Sequence, residues 1–159
     1  MNENSSIVQI IQLMLAPGLM ISACGLLLLA MNNKYSLVVN RIRLLNEERR
    51  RFLIKTGGKN STYEETIRLE SISQQISALL IRVKLVRNAV LSYTIAIAFF
   101  VLTSLLIGLQ FILSGLLLTT IIILLFLLGM ISVVCGIFYA AYETKKGYDI
   151  VQLEVKIDE

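Results

Sequence analysis

The sequence predicts an all-α membrane protein with three transmembrane helices, a cytoplasmic antiparallel helical hairpin between helices one and two, and a C-terminal β-strand. Three observations predict it. Two long charge-free runs, Asn4 to Asn33 and Asn88 to Tyr142, supply the spans. An apolar heptad pattern leaves the first run and a second one returns toward the next. All 15 lysines and arginines lie on one side of those runs, which orients the chain.

Composition sets the class. Of 159 residues, 56% are hydrophobic, and the mean hydropathy of +0.75 is that of a chain that lives in a bilayer. There is no His or Trp and there are only two Cys. Zinc sites, Cys/His nucleophile pairs and a disulfide framework are therefore not expected. No catalytic constellation stands out, so the expectation is a non-enzyme without cofactor or metal. Cys24 and Cys135 both fall in apolar segments and read as small buried hydrophobes, each about eight residues from the cytoplasmic end of its helix. Similar depth predicts similar accessibility to a membrane-permeant thiol reagent.

The first run is long enough for one span, since about 20 apolar residues cross a hydrocarbon core of roughly 30 Å. It has no basic region before it and exceeds the apolar core of a signal peptide, so it reads as an anchor. The second run would reach roughly 80 Å as one helix at about 1.5 Å per residue, so it must fold back. Gly108, Gln110, Ser114 and Gly115 mark the break, giving helix two near Ala89 to Leu109 and helix three near Leu116 to Tyr142. The positive-inside rule puts the basic side in the cytoplasm and the N-terminus outside. The resulting division is 1–33 for the outer N-terminus and helix one, 34–88 for the cytoplasmic hairpin, 89–142 for helices two and three, and 143–159 for a cytoplasmic tail.

Coiled-coil spacing builds the hairpin. Leu28, Met31, Tyr35, Val38, Ile42, Leu45, Arg49 and Phe52 alternate steps of three and four, as do Leu69, Ile72, Ile76, Leu79, Val83, Val86 and Val90. Between them, Thr56-Gly57-Gly58 stops the outgoing helix, and the capping boxes of Ser61-Thr62-Tyr63-Glu64-Glu65 start the returning one. Arg49, Arg50 and Arg51 put positive charge at the tip. One reading is a contact for a cytoplasmic protein partner, and the other is ordinary surface pairing with Glu47 and Glu48. Nucleic-acid binding is not expected.

Polar residues mark the remaining candidate sites. In helix one, Gln9, Gln12, Pro17, Gly18 and Ser22 are candidates for a pore or hinge: Pro17 removes a backbone donor, and the two amides either line a hydrated path or reach the interface or a neighbouring helix. Ser22, Gly25, Leu29, Asn32, Ser36, Asn40, Arg43 and Glu47 form a stripe at helical spacing that reads as a polar packing face. Helix three carries a small-residue stripe, Gly129, Ser132, Gly136 and Ala140, suited to close helix approach. At the cytoplasmic boundary, Asn32, Asn33, Lys34, Asn40, Arg87 and Glu143 form a candidate polar network, with Glu143 expected to pair at the level of Lys34 and Arg87. No charged residue lies inside any span, so the usual mark of proton coupling is missing.

The tail alternates apolar and polar residues from Val151 to Asp158, the signature of a half-buried strand. Ile150, Leu153 and Ile157 also fit a helix, but Gly147 and the β-branched content favour the strand. It would pair between protomers or with another protein's sheet, and the alternative is a disordered terminus, since chain ends commonly fray.

The run from Leu15 through Pro17 and Gly18 to Gly25, followed by Asn33, Arg41-Ile42-Arg43 and the segment Arg82 to Arg87, resembles an uncharacterised bacterial family of small three-helix membrane proteins, a domain of unknown function. The resemblance implies a multi-pass protein of the bacterial inner membrane and no particular activity. In topology alone the layout is similar to channel subunits of the ExbB/TolQ class and to Oxa1-superfamily insertases. Three functions follow as expectations: a homo-oligomeric, channel-like pore, a membrane scaffold recruiting a cytoplasmic partner through its hairpin, and an insertase-like protein. The partners expected are membrane lipid, further copies of the chain and a cytoplasmic protein.

Overall fold

The heptad spacing of the first half does not stop where the apolar run ends, and neither does the helix. In the computed structural model, α1 runs from Glu3 to Lys55 without interruption, α2 from Tyr63 to Gln110 and α3 from Leu116 to Ile157. The structure describes residues 3–55, 63–110 and 116–157, with side chains for 11–54, 63, 65–110 and 117–148. The expected glycine stop at Gly57-Gly58, the expected capping residues Ser61 and Thr62 and residues 111–115 of the expected break lie outside the described residues. α2 ends and α3 begins where the Gly/Ser cluster predicts.

All three helices contain stretches long and apolar enough to cross a membrane, with mean hydropathies of 2.2, 2.3 and 3.0. Leu26, Leu105, Leu117 and Phe138 are largely exposed. A surface of that kind belongs in hydrocarbon, where a helix satisfies its own backbone hydrogen bonds. The chain is a multi-pass integral membrane protein.

The strand expected from Val151 is corrected: α3 is helical through Ile157, and no strand occurs among the described residues. The physical reason is hydrogen bonding. A lone strand leaves its backbone groups to water, whereas an extension of α3 pairs them within the chain, and Ile150, Leu153 and Ile157 already sit at helical spacing.

The chain forms two compact units, Met1–Met31 with Asn88–Tyr139, and Asn32–Arg87 with Ala140–Glu159. In the first, buried positions recur every seven residues: Pro17, Cys24 and Met31 in α1, Tyr93 and Phe100 in α2, and Ile122, Gly129 and Gly136 in α3. A seven-residue repeat keeps one seam facing the neighbouring helices over many turns. Here α2 and α3 run antiparallel in a fixed register, with Gln110 on Thr119, Phe100 over Gly129 and Tyr93 over Gly136. A Cβ on Gly129 would stand 2.7 Å from the Phe100 ring, so only glycine admits that ring. Phe126 completes the layer with its ring centre 5.5 Å from that of Phe100 at a 57° tilt. Thr103, buried in the same unit, donates to the Phe99 carbonyl at 2.8 Å and so carries no unpaired hydroxyl.

The second unit has its own apolar core, Val38 and Leu45 of α1 against Ile72 and Leu79 of α2, with Ile42, Phe52, Ile76 and Val83 packed around it. These are residues of the two predicted seams. Tyr35 and Arg49, also on the outgoing seam, are exposed. Glu48 and Arg68 join the two helices at 2.9 Å.

Candidate functional site

One carboxylate in the second unit is drawn fully out of solvent. Glu143 takes the α3 position seven residues after Gly136, on the helix face that packs inward. A buried acid there is tolerable only with partners, because desolvating a lone carboxylate costs several kcal/mol. It has two. Lys34 of α1 donates from Nζ to Oε2 at 3.0 Å, and Arg82 of α2 donates to Oε1 from Nη2 at 2.7 Å and from Nε at 3.1 Å. Lys34 also donates to Thr144 Oγ1 at 3.1 Å, and Thr144 donates back to the Ala140 carbonyl. One side chain thereby ties three helices together.

Gly147 makes room for this arrangement. A Cβ at that position would lie 3.0 Å from Arg82 Nη2, so the bare backbone of α3 is the floor on which the guanidinium rests. Gly147 is thus an inner-face residue of a continuous helix, where the sequence pattern suggested a break before a strand.

The pairing of Lys34 with Glu143 matches the expected boundary pair. The second cation is Arg82, which sequence reasoning missed while pointing to Arg87. The signal was in the heptad: Arg82 lies seven residues before Ala89, which is buried, so it shares that inward stripe, whereas Arg87 is exposed. Asn32, Asn33 and Asn40 are exposed and do not join the triad. With its charge matched by two cations, Glu143 acts as a clamp that leaves one excess positive charge on its rim, where Lys34 is 43% exposed and Arg82 23%.

In the first unit the predicted pore or hinge residues separate. Pro17 is buried, and α1 stays helical through it. Gln12, Gly18 and Ser22 lie on the exposed side, and the Gln9 side chain is outside the described residues. Ser22 donates to the Gly18 carbonyl at 3.3 Å. A Cβ on Gly18 or Gly25 would meet nothing within 4 Å, so this stripe of α1 is unoccupied within the protomer. The small residues of α3 behave oppositely, since Gly129 and Gly136 are filled by Phe100 and Tyr93. Beside Pro17, an apolar cleft of about 220 Å³ is lined by Leu13, Thr103, Ile107, Ile122 and Phe126 among others.

Arg49, Arg50 and Arg51 are exposed. Glu48, one of the two acids expected to pair with them, is instead engaged by Arg68 from α2. Among the described residues no group of His, Cys, Asp and Glu is arranged to hold a metal ion.

Comparison with curated proteins finds no match, and comparison with solved structures finds none either. A family model described as "Protein of unknown function (DUF2721)" matches residues 14–153, which takes in the α1 stripe from Gly18 onward, the Glu143 triad and the tight α2–α3 packing. The chain belongs to the DUF2721 family.

Proposed function

We propose that the protein is a homo-oligomeric, channel-like membrane assembly in which α1 faces the shared axis. One observation carries this reading: α1 turns its apolar seam of Pro17, Cys24 and Met31 inward and leaves Gln12, Gly18, Ser22, Gly25 and Asn32 on its outer face. Small and polar groups gain little from contact with lipid tails. Against the same stripe of another copy, the glycines permit close backbone approach and the amides find partners. A ring of such stripes surrounds an axis lined by uncharged polar groups, which suits passive conduction better than proton coupling.

In this reading the second unit, with its packed arms of α1 and α2, is cytoplasmic and the N-terminus is outside, which the one-sided distribution of basic residues supports. The test is recording from planar bilayers with purified protein whose subunit number has been fixed by native mass spectrometry. Discrete conductance that is lost in Gly25→Leu, together with a lower subunit number, supports the reading. Silent bilayers with a well-assembled oligomer refute it.

A second reading, a scaffold for a cytoplasmic partner, draws support from the Glu48–Arg68 pair. By taking Glu48 away from Arg49, Arg50 and Arg51 it leaves their charge available to an acidic surface. Proximity labelling from the arm of α1 tests it: a specific neighbour lost on changing the three arginines to alanine favours the scaffold, and an unchanged set of neighbours counts against it.

A further inference from the structure

The basic residues next to the apolar runs are more numerous than orientation alone requires, and the structure buries the acid nearest to those runs in its own ion pairs. Within six residues of Asn33, Asn88 and Tyr142, outside the runs, stand Lys34, Arg82, Lys84, Arg87, Lys145 and Lys146, all in the second unit, against the single carboxylate Glu143. That carboxylate is fully buried and saturated by Lys34 and Arg82. Lys84 and Lys145 are exposed and Lys146 is half-buried, and none of the three forms an ion pair among the described residues. The next acid along α3, Asp149, comes six residues after Glu143.

We infer that this belt binds the phosphate groups of anionic phospholipids. Six helical residues span about 9 Å, which matches a headgroup layer of roughly 5–8 Å and a Debye length near 8 Å, so the charges sit where headgroup phosphates are. Lys84 of α2 stands two residues from Arg82, and Lys145 and Lys146 of α3 two and three from Glu143, so on each helix exposed positive charge adjoins the clamp in sequence. A phosphate that meets these lysines stays in place because its acyl chains lie along the apolar faces of the same helices. The Arg49–Arg51 cluster lies outside this reach, at least sixteen residues beyond Asn33. This inference depends on membrane embedding and not on conduction, so it stands or falls independently of the channel reading.

The experiment compares purified wild-type protein with the triple variant Lys84→Gln, Lys145→Gln, Lys146→Gln, which leaves Lys34, Arg82 and Glu143 untouched. Each is placed in nanodiscs of phosphatidylcholine alone and of phosphatidylcholine with phosphatidylglycerol of the same acyl chains. In wild type, phosphatidylglycerol should be retained on native mass spectrometry and should raise the thermal midpoint. The variant should lose roughly 100-fold in relative retention, since each basic residue near an anionic surface contributes about a factor of five, and its midpoint should not respond to lipid class. Millimolar inorganic phosphate should leave both midpoints unchanged. Equal retention of the two lipids by wild type, full retention by the folded variant, or a midpoint rise with phosphate alone would each overturn the inference.

Discussion

Tyr93 lies over Gly136 so closely that a Cβ on the glycine would stand 2.5 Å from Cε1 of the ring. The tyrosine is 1% exposed, so its ring has nowhere to retreat. Gly136→Ala should therefore overpack the α2–α3 seam, cost about 1–3 kcal/mol and lower the thermal midpoint in detergent by roughly 5 °C. Gly25→Ala, with open space at its Cβ, should leave the midpoint of the protomer unchanged or slightly raised. Differential scanning fluorimetry on the two variants separates an occupied glycine from an open one, and equal midpoints would contradict the packing described.

Removing the charge of Glu143 should be far more damaging than removing that of Glu48. Glu143→Gln leaves Lys34 and Arg82 facing each other without their counter-charge, at a cost of about 3–5 kcal/mol. Glu48→Gln breaks a bridge whose arginine is 52% exposed, and it should cost about 0–1 kcal/mol. Combining Glu143→Gln with Arg82→Gln should recover part of the loss, because one uncompensated cation goes with it. Thermal midpoints of the three variants measure this, and an additive double variant would show that the clamp is not a coupled unit.

The two cysteines should not react alike. Cys24 is buried, whereas Cys135 is exposed. A small membrane-permeant maleimide should modify Cys135 at least tenfold faster in detergent, as followed by intact mass. The sequence places both thiols at similar depth, but burial by packing separates them. Equal rates would require the Cys24 seam to open.

The tail should report as helix. Cα chemical shifts from Val151 to Ile157 should fall on the helical side of their random-coil values, in keeping with the continuation of α3. Strand-like shifts over those residues would restore the alternation as the governing pattern.

Much of the fold was legible because bilayers and heptads impose simple rules. Charge-free length announced three long apolar helices, the Gly/Ser cluster from Gly108 to Gly115 separated the second from the third, and three-four spacing named Val38, Leu45, Ile72 and Leu79 before their packing was known. The tail was misread because a period of two and the helical set Ile150, Leu153 and Ile157 coexist in one short segment. What settles such a segment is hydrogen-bond partners, and these are not written in its residues.

The candidate site was half legible. Lys34 and Glu143 each stand directly beside an apolar run, so their pairing was expected from sequence alone. The choice of Arg82, the use of Gly147 as its floor, the filling of the α3 glycines by Tyr93 and Phe100 and the openness of the α1 stripe were decided by tertiary structure. Local sequence determines where a helix runs and how far charges lie from the membrane, because those depend on solvation and hydrogen bonding along one chain. Which side chains meet depends on the rotation and register of each helix against its neighbours, and steric fit fixes these only when all three helices are packed together.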